Sequence, residues 1–250
     1  MKQKIISILL SAAVLTSAFS VNQFNAFCLP DTPIGYGQGK NLNENNVPQD
    51  ALTFNQTFSD LNGYAVTPKK KQIILTFDQG YENGYTAKIL DTLKEKHVTA
   101  IFFLTGDYAK SENELIRRMI REGHMLGNHT MNHKSIPTLD ENSAQEEIMS
   151  LQEYVSEVYD YDMQYFRFPS GEYSEDSIKL VNKLGLKTVF WSFAYEDWNT
   201  DSQPEPTESL EKVVSTSHEG EILLLHSVSS TNAQILGNVI DELKSKGFIL

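Results

Sequence analysis

From residue 72 to the C-terminus, short apolar runs rich in β-branched residues alternate with segments whose apolar positions recur every three and four residues. The runs predict strands over 72–77, 99–104, 124–128, 165–168, 188–192, 221–225 and 248–250. The intervening periods predict helices, for example through Leu115, Ile116, Met119 and Ile120, and through Ile235, Leu236, Val239, Ile240 and Leu243. Ser111 with Glu114 and Thr138 with Glu141 match capping boxes, while Gly123, Gly185 and Gly247 stand where the chain should leave a helix. Seven strands alternating with helices imply an α/β fold with a parallel sheet, closed most economically into a barrel.

The first 68 residues do not share this periodicity. Lys2 and Lys4 precede an uncharged stretch from Ile5 to Phe19, which ends among the small residues Ser17, Ala18 and Ser20. Residues 1–20 therefore read as a cleaved export signal, with a retained membrane anchor as the alternative. About 15 apolar residues are short of the roughly 20 that a span needs. Residues 21–68, rich in Asn, Gln, Pro and Gly, are expected to form a partly ordered extension ahead of a catalytic domain over 69–250.

Five polar signatures sit at or just past the ends of the predicted strands: Asp78, His129 with His133, Arg167, Asp197 and His226. In parallel barrels and open sheets, catalytic groups come from the carboxyl ends of different strands, because those ends share one face. Residues scattered in sequence would thus converge. Taken singly, each is ambiguous. His129 and His133, four apart, would share one face of a helical turn and suit Zn²⁺ or a neighbouring divalent ion, or they are simply a polar turn. Asp78 stands at the mouth of its strand before Gly80, or caps a helix. Arg167 could fix a carboxylate in a planar two-pronged contact, or form a surface ion pair. His226 ends an apolar run and alone would read as a core histidine.

Composition narrows the classes. The chain has 250 residues, 40% hydrophobic and 22% charged, enough for a sizeable core. Its formal net charge is −12, and removal of Lys2 and Lys4 with a signal would deepen it. No basic stripe could neutralise phosphates, so nucleic acid is excluded as a partner. Charge does not steer such a chain toward an anionic wall either. Cys28 is the only cysteine, which rules out an internal disulfide. Nothing points to a protein partner, and a monomer is expected.

The segments Thr76-Phe77-Asp78-Gln79-Gly80, His129-x-x-x-His133, Arg167-Phe168-Pro169-Ser170-Gly171, Asp197-Trp198 and Leu224-Leu225-His226-Ser227 resemble the five ordered motifs of polysaccharide deacetylases. These are the NodB-homology enzymes of carbohydrate esterase family four, and the likeness covers residues 71–250. Tyr81 to Thr86, Phe190 to Trp198 and His226 to Ser229 are further similar to the branch that makes muramic δ-lactam in spore cortex. The resemblance implies a distorted (β/α)7-type barrel. It implies Asp78 as general base, His226 as general acid, Arg167 holding Asp78, and Asp197 orienting His226. His129 and His133 would bind a divalent metal, most simply Zn²⁺, with Gln79 in the place where most members have a second aspartate. The backbone N–H near Ser170 would bind the oxyanion, and Trp198 and Tyr81 would contact sugar. Trp191, Phe193 and Tyr195 are expected in the core, and His97, His124 and His218 match no motif.

A neutral amide at position 79 weakens a metal site, although the lactam-forming branch also tends to carry an amide there. The implied activity is an exported, metal-assisted removal of N-acetyl groups from the muramic acid of peptidoglycan, in the wall or around a forming spore. The alternatives are a deacetylase of N-acetylglucosamine polymers and a non-catalytic wall-binding protein on a decayed scaffold. The glycan strand is the expected partner in each.

Overall fold

The apolar runs form strands because both faces of each are covered. The β-branched and aromatic side chains alternate between the inside of a curled sheet and the helices packed outside it. The structure, a computed structural model, describes residues 32–250. The export or anchor assignment for residues 1–20 and the start of the extension lie outside the described residues.

In chain order the elements are β1 (Ile34–Gly35), α1 (Gln49–Phe58), β2 (Gly63–Tyr64), β3 (Ile74–Gln79), α2 (Thr86–Glu95), β4 (Ala100–Leu104), α3 (Gly106–Ser111), α4 (Asn113–Arg121) and β5 (Met125–Asn128). There follow α5 (Glu141–Tyr159), β6 (Tyr165–Phe166), β7 (Glu172–Tyr173), α6 (Glu175–Lys183), β8 (Lys187–Val189), α7 (Pro206–Ser215), β9 (Ile222–His226) and α8 (Ser230–Ser245). Among the described residues, seven strands make one parallel sheet in the order β2-β8-β6-β5-β4-β3-β9. It curls into a half-barrel, as the alternating pattern predicts. β2 and β9 remain its edges, and the isolated bridge Val66↔Glu221 crosses the seam.

One expected strand is replaced. Residues 248–250 join only through the bridge Gln72↔Ile249, and the seventh strand is β2, from the segment read as an extension. A two-residue strand flanked by Gly63 carries too short an alternation to announce itself. Caps also differ. α4 starts after Glu112 without a side-chain cap, and α5 is capped by Asp140, which accepts from the Ser143 N–H. The expected Ser111 and Thr138 caps are therefore not used. Gly123, Gly185 and Gly247 do take left-handed φ at helix ends, as predicted.

Leu75, Phe77, Phe102 and Leu104 face the helices in the main core, whereas Ile101, Phe103, Val189 and Ile222 fill the inside of the barrel. Gly127 belongs to that inner layer for a steric reason. A Cβ there would lie 2.4 Å from the Phe103 ring, so the ring occupies the space a side chain would need. That ring in turn supports the site above it.

Candidate active site

Period-two alternation puts Asp78, His129, Arg167 and His226 on the inner face at the carboxyl ends of their strands. Asp78 is paired in register with Phe103 on β4 and with His226 on β9. Arg167 Nη1 donates to Asp78 Oδ1 at 2.8 Å, and Asp78 Oδ2 lies 3.6 Å from His129 Nε2. The Arg167 side chain is wholly buried. Its other nitrogens donate to main-chain carbonyls, Nε to Val189 at 3.0 Å and Nη2 to Phe190 at 3.2 Å. Its guanidinium lies over the Phe103 ring, 4.1 Å from the centroid. The two-pronged contact predicted for Arg167 is thus one-pronged, because the end of β8 takes the remaining donors. A buried cation is tolerated here since its charge is paired and each type of guanidinium nitrogen is satisfied.

Burial by itself would raise the Asp78 carboxyl. The Arg167 charge, with His129 and His226 behind it, outweighs burial and holds the group below the usual carboxylate range. Burial pushes His129 down to about 4, so this imidazole is neutral at pH 7. His129 Nδ1 lies 2.8 Å from the Arg167 carbonyl, which can only accept, so Nδ1 carries the proton and Nε2 presents a lone pair. That lone pair and an ionised carboxylate oxygen face each other at 3.6 Å. Two acceptors so placed favour a cation between or beside them.

His129 and His133 are not on a helical turn. They flank a loop in which Thr130 and His133 have φ of 71° and 55°. The loop is tied on one side by Glu147 of α5, whose carbonyl accepts from Met131 N–H and whose carboxylate accepts from Asn132. On the other side, Gly106 N–H donates to the carbonyls of Thr130 and Met131. The rings end 4.9 Å apart, so the expected convergence is reached by a different backbone.

His226 Nδ1 is 2.7 Å from Asp197 Oδ1, and Asp197 Oδ2 accepts the His226 main-chain N–H at 2.8 Å and Asn232 Nδ2 at 2.5 Å. Asn232 Oδ1 accepts the Tyr195 hydroxyl. Burial works to lower His226, but the hydrogen bond and charge of Asp197 prevail and hold the imidazole above its ordinary value. Asp197 and Asn232 are buried, and His226 is half-buried at the cleft with Trp198 against its edge, ring centroids 5.6 Å apart.

The cleft has a volume of about 560 Å³, and Asp78, His129, His133, Ser170, Trp198 and His226 all line it. Ser170 has φ 54°, in a tight turn after Pro169. Two expected residues do not join. Gln79 is buried, does not line the cleft, and its Nε2 donates to Ser227 Oγ. The same alternation that turns Asp78 inward turns Gln79 toward the helices. Its Oε1 is buried without a partner among the described residues. Tyr81 is exposed, in the segment after β3, and does not line the cleft. Sequence reasoning assigned Trp191 and Tyr195 to the core, yet both also line the cleft. Asn232 and Tyr36 were missed outright, since a lone Asn in a helix and a Tyr in an aperiodic segment carry no pattern.

Among the described residues, no three His, Cys, Asp or Glu side chains cluster as a metal site. The donor chemistry nevertheless fits a divalent ion at His129 and His133. Both are placed together, and His129 is neutral with Nε2 free. The set falls short of the three protein ligands usual for catalytic zinc.

The family description "Polysaccharide deacetylase" matches residues 65–189. The peptidoglycan-N-acetylmuramic acid deacetylase of Bacillus subtilis is 38% identical over 225 residues, covering 89% of this chain and 85% of the relative. The solved structure of that B. subtilis family 4 carbohydrate esterase superposes with a TM-score of 0.81 at 37% identity, over 87% of this chain and 93% of the other. A peptidoglycan-N-acetylglucosamine deacetylase of Bacillus cereus is 32% identical over 182 residues, 71% of this chain and 65% of the relative.

Proposed function

Starting from the polysaccharide deacetylase family, to which this chain belongs, we propose that it removes N-acetyl groups from peptidoglycan, acting on muramic acid on the route to muramic δ-lactam. Export to the wall or to the space around a forming spore completes the reading. One observation carries the chemistry. Asp78 and His226 are register partners on adjacent strands, and their surroundings drive their proton affinities apart. Arg167 favours the carboxylate of the one, and Asp197 favours the protonated form of the other. A base and an acid set side by side are what amide hydrolysis requires.

Asp78 takes a proton from the attacking water as the water oxygen bonds to the acetyl carbon. The backbone around Ser170 stabilises the oxyanion. His226 then gives its proton to the sugar nitrogen as the C–N bond breaks, leaving acetate and a free amine. Transfer of the proton on Asp78 to solvent and reprotonation of His226 restore the start. Arg167 and Asp197 orient the two groups, and Trp198, half exposed beside His226, offers a face or edge to a sugar ring. Metal dependence is general in the family. His129 and His133 would hold the divalent ion, Zn²⁺ or a close relative, which would lower the pKa of water and polarise the acetyl carbonyl.

Among the described residues, no lysine or arginine lines the cleft to pair with the lactyl carboxylate of muramic acid, which supports N-acetylglucosamine as the second reading. Incubation of the metal-loaded protein with glycan strands freed of stem peptides, then digestion and mass analysis, separates the two. Acetyl loss on muramic residues is expected. Loss on glucosamine residues would favour the second reading, and no loss would leave a binding protein.

A further inference from the structure

The family match begins at residue 65, yet chain ahead of it reaches the cleft. β1 pairs antiparallel with β7, Ile34 opposite Tyr173 and Gly35 opposite Glu172. The next residue, Tyr36, donates its N–H to the Gly171 carbonyl at 2.8 Å and its hydroxyl to the Trp191 carbonyl at 2.5 Å. Its ring stacks on Phe190, centroids 4.3 Å apart and planes at 17°, and meets Trp191 edge-on at 5.2 Å. Phe54 of α1 braces the same ring at 5.5 Å. Gln38 Nε2 donates to the Ala194 carbonyl at 3.3 Å.

These contacts fall on two segments that run on past the last ladder residues of β6 and β8. One, residues 168–173, carries Ser170. The other, residues 189–194, carries the Val189 and Phe190 carbonyls that hold Arg167, together with Trp191 and Ala194 of the cleft wall. The fit is close. Gly171 has φ +68°, and a Cβ there would lie 3.1 Å from the Tyr36 carbonyl oxygen and 3.0 Å from the Trp191 ring. Past the β6–β8 ladder, residues 190–193 are held by the main chain of Tyr64, Ile222 and Leu224 rather than by the Ser170 segment, so a bond from one residue to both segments adds a direct tie between them.

We propose that Ile34–Gln38 is a clasp on the cleft, with Tyr36 as a positioning residue that fixes the Ser170 turn against the wall whose carbonyls hold the Arg167 side chain. It adds to the groups shared with the family a support drawn from outside the family match. Its effect on rate rests on the deacetylase reading; its effect on order does not.

The test uses the full chain with Tyr36→Phe, Tyr36→Ala and Gln38→Ala. Ile34→Ala serves as control, since that side chain is exposed and the strand pairs through its backbone. Acetate release from peptide-free glycan strands gives kcat and KM, and thermal melting gives stability. Tyr36→Phe keeps the stack and loses the hydroxyl bond. It should lower kcat about tenfold with KM within about twofold, the pattern of an interaction that matters in the transition state. Tyr36→Ala should lower kcat about a hundredfold, Gln38→Ala a few-fold, and Ile34→Ala leaves it unchanged. In parallel, Trp198→Phe leaves Trp191 as the sole tryptophan, and adding Tyr36→Ala should raise acrylamide quenching of its emission.

Wild-type kcat in Tyr36→Ala overturns the positioning role. So does a fall in kcat that merely tracks the melting temperature across all four variants. Unchanged quenching overturns the clasp itself. If the unaltered chain releases no acetate, the deacetylase reading fails and the quenching alone decides whether the clasp orders the wall.

Discussion

Replacing Asp197 by Asn keeps the volume of a wholly buried side chain and removes its charge. In the folded chain the two carboxylate oxygens take three donors: His226 Nδ1, the His226 main-chain N–H and Asn232 Nδ2. An amide has one acceptor oxygen, so whichever way it turns, at least one donor meets an NH₂ group. One hydrogen bond to a charged acceptor is worth about 1.5–3 kcal/mol. If that bond holds the acid in the transition state, its loss is about 10- to 150-fold in rate, at 1.4 kcal/mol per factor of ten. The charge matters further. Asp197 is what raises His226 against the opposing effect of burial, so without it the imidazole loses its proton at lower pH.

The alkaline limb of the kcat profile should therefore move down in pH. At neutrality the combined loss should reach about 10²–10⁴. Stability gives an independent reading. A histidine raised in the folded state stabilises fully below its unfolded value of about 6.5, and that contribution is lost as pH rises through the folded value. Asp197→Asn should then destabilise more at pH 5.5 than at pH 9. The assay is acetate release and thermal melting from about pH 5 to 9, a range that brackets the histidine reference value. A variant with its alkaline limb in place and full activity would refute the Asp197–His226 pairing as a catalytic device.

Asp78→Asn leaves the buried Arg167 charge unpaired, so it should lower the melting temperature as well as lower kcat by about 10²–10⁴, the usual cost of losing a general base; wild-type turnover would remove Asp78 from the mechanism. His129→Ala and His133→Ala should each abolish calorimetric Zn²⁺ binding, because one imidazole is too few protein ligands; unchanged affinity in either rejects that residue as a ligand. Burial holds the Glu221 carboxyl up at about 8, so its stabilising effect is full below pH 4.5 and is lost as pH rises toward 8. Glu221→Gln stays neutral and should raise the melting point at pH 8.5, by an amount on the order of 4–5 kcal/mol in stability at most, and not at pH 4.5; equal effects at both would count against a buried titration.

The strands most legible in the sequence were those buried on both faces. β4 and β9 are continuous apolar runs, and their ends locate Phe103 and His226 directly. β2 was illegible because two residues cannot show a period, and its place in the sheet follows from α1 packing on it and from its pairing with β8. In the site, chemistry was readable where a polar residue interrupted an apolar run, as at Asp78, Arg167 and His226. Geometry was less so. The histidine spacing suggested a helical turn, yet Glu147 and Gly106 fold the same residues into a loop through bonds that no local spacing encodes. Gln79 was misjudged for a related reason. Its neighbour Asp78 faces inward, and a strand sends consecutive side chains to opposite faces.

The two ion pairs explain why a buried site can keep a free base and a charged acid within one strand spacing. Asp78 with Arg167 is neutral as a unit, and so is Asp197 with protonated His226. Neither unit perturbs the other as strongly as a lone charge would, so each holds its own protonation state. During hydrolysis Asp78 gains a proton while His226 loses one. The Arg167 unit becomes net positive and the Asp197 unit net negative, on adjacent strands β3 and β9. The unbalanced charges then sit on Arg167 and Asp197, the outer partners of the two register neighbours, and their attraction offsets part of the cost of separating them. Partners further apart would pay more for the same transfer. A single substitution that uncouples either unit, Arg167→Met on one side or Asp197→Asn on the other, should therefore disturb the titration of both groups, and a shift confined to one limb of the profile would show that the units act independently.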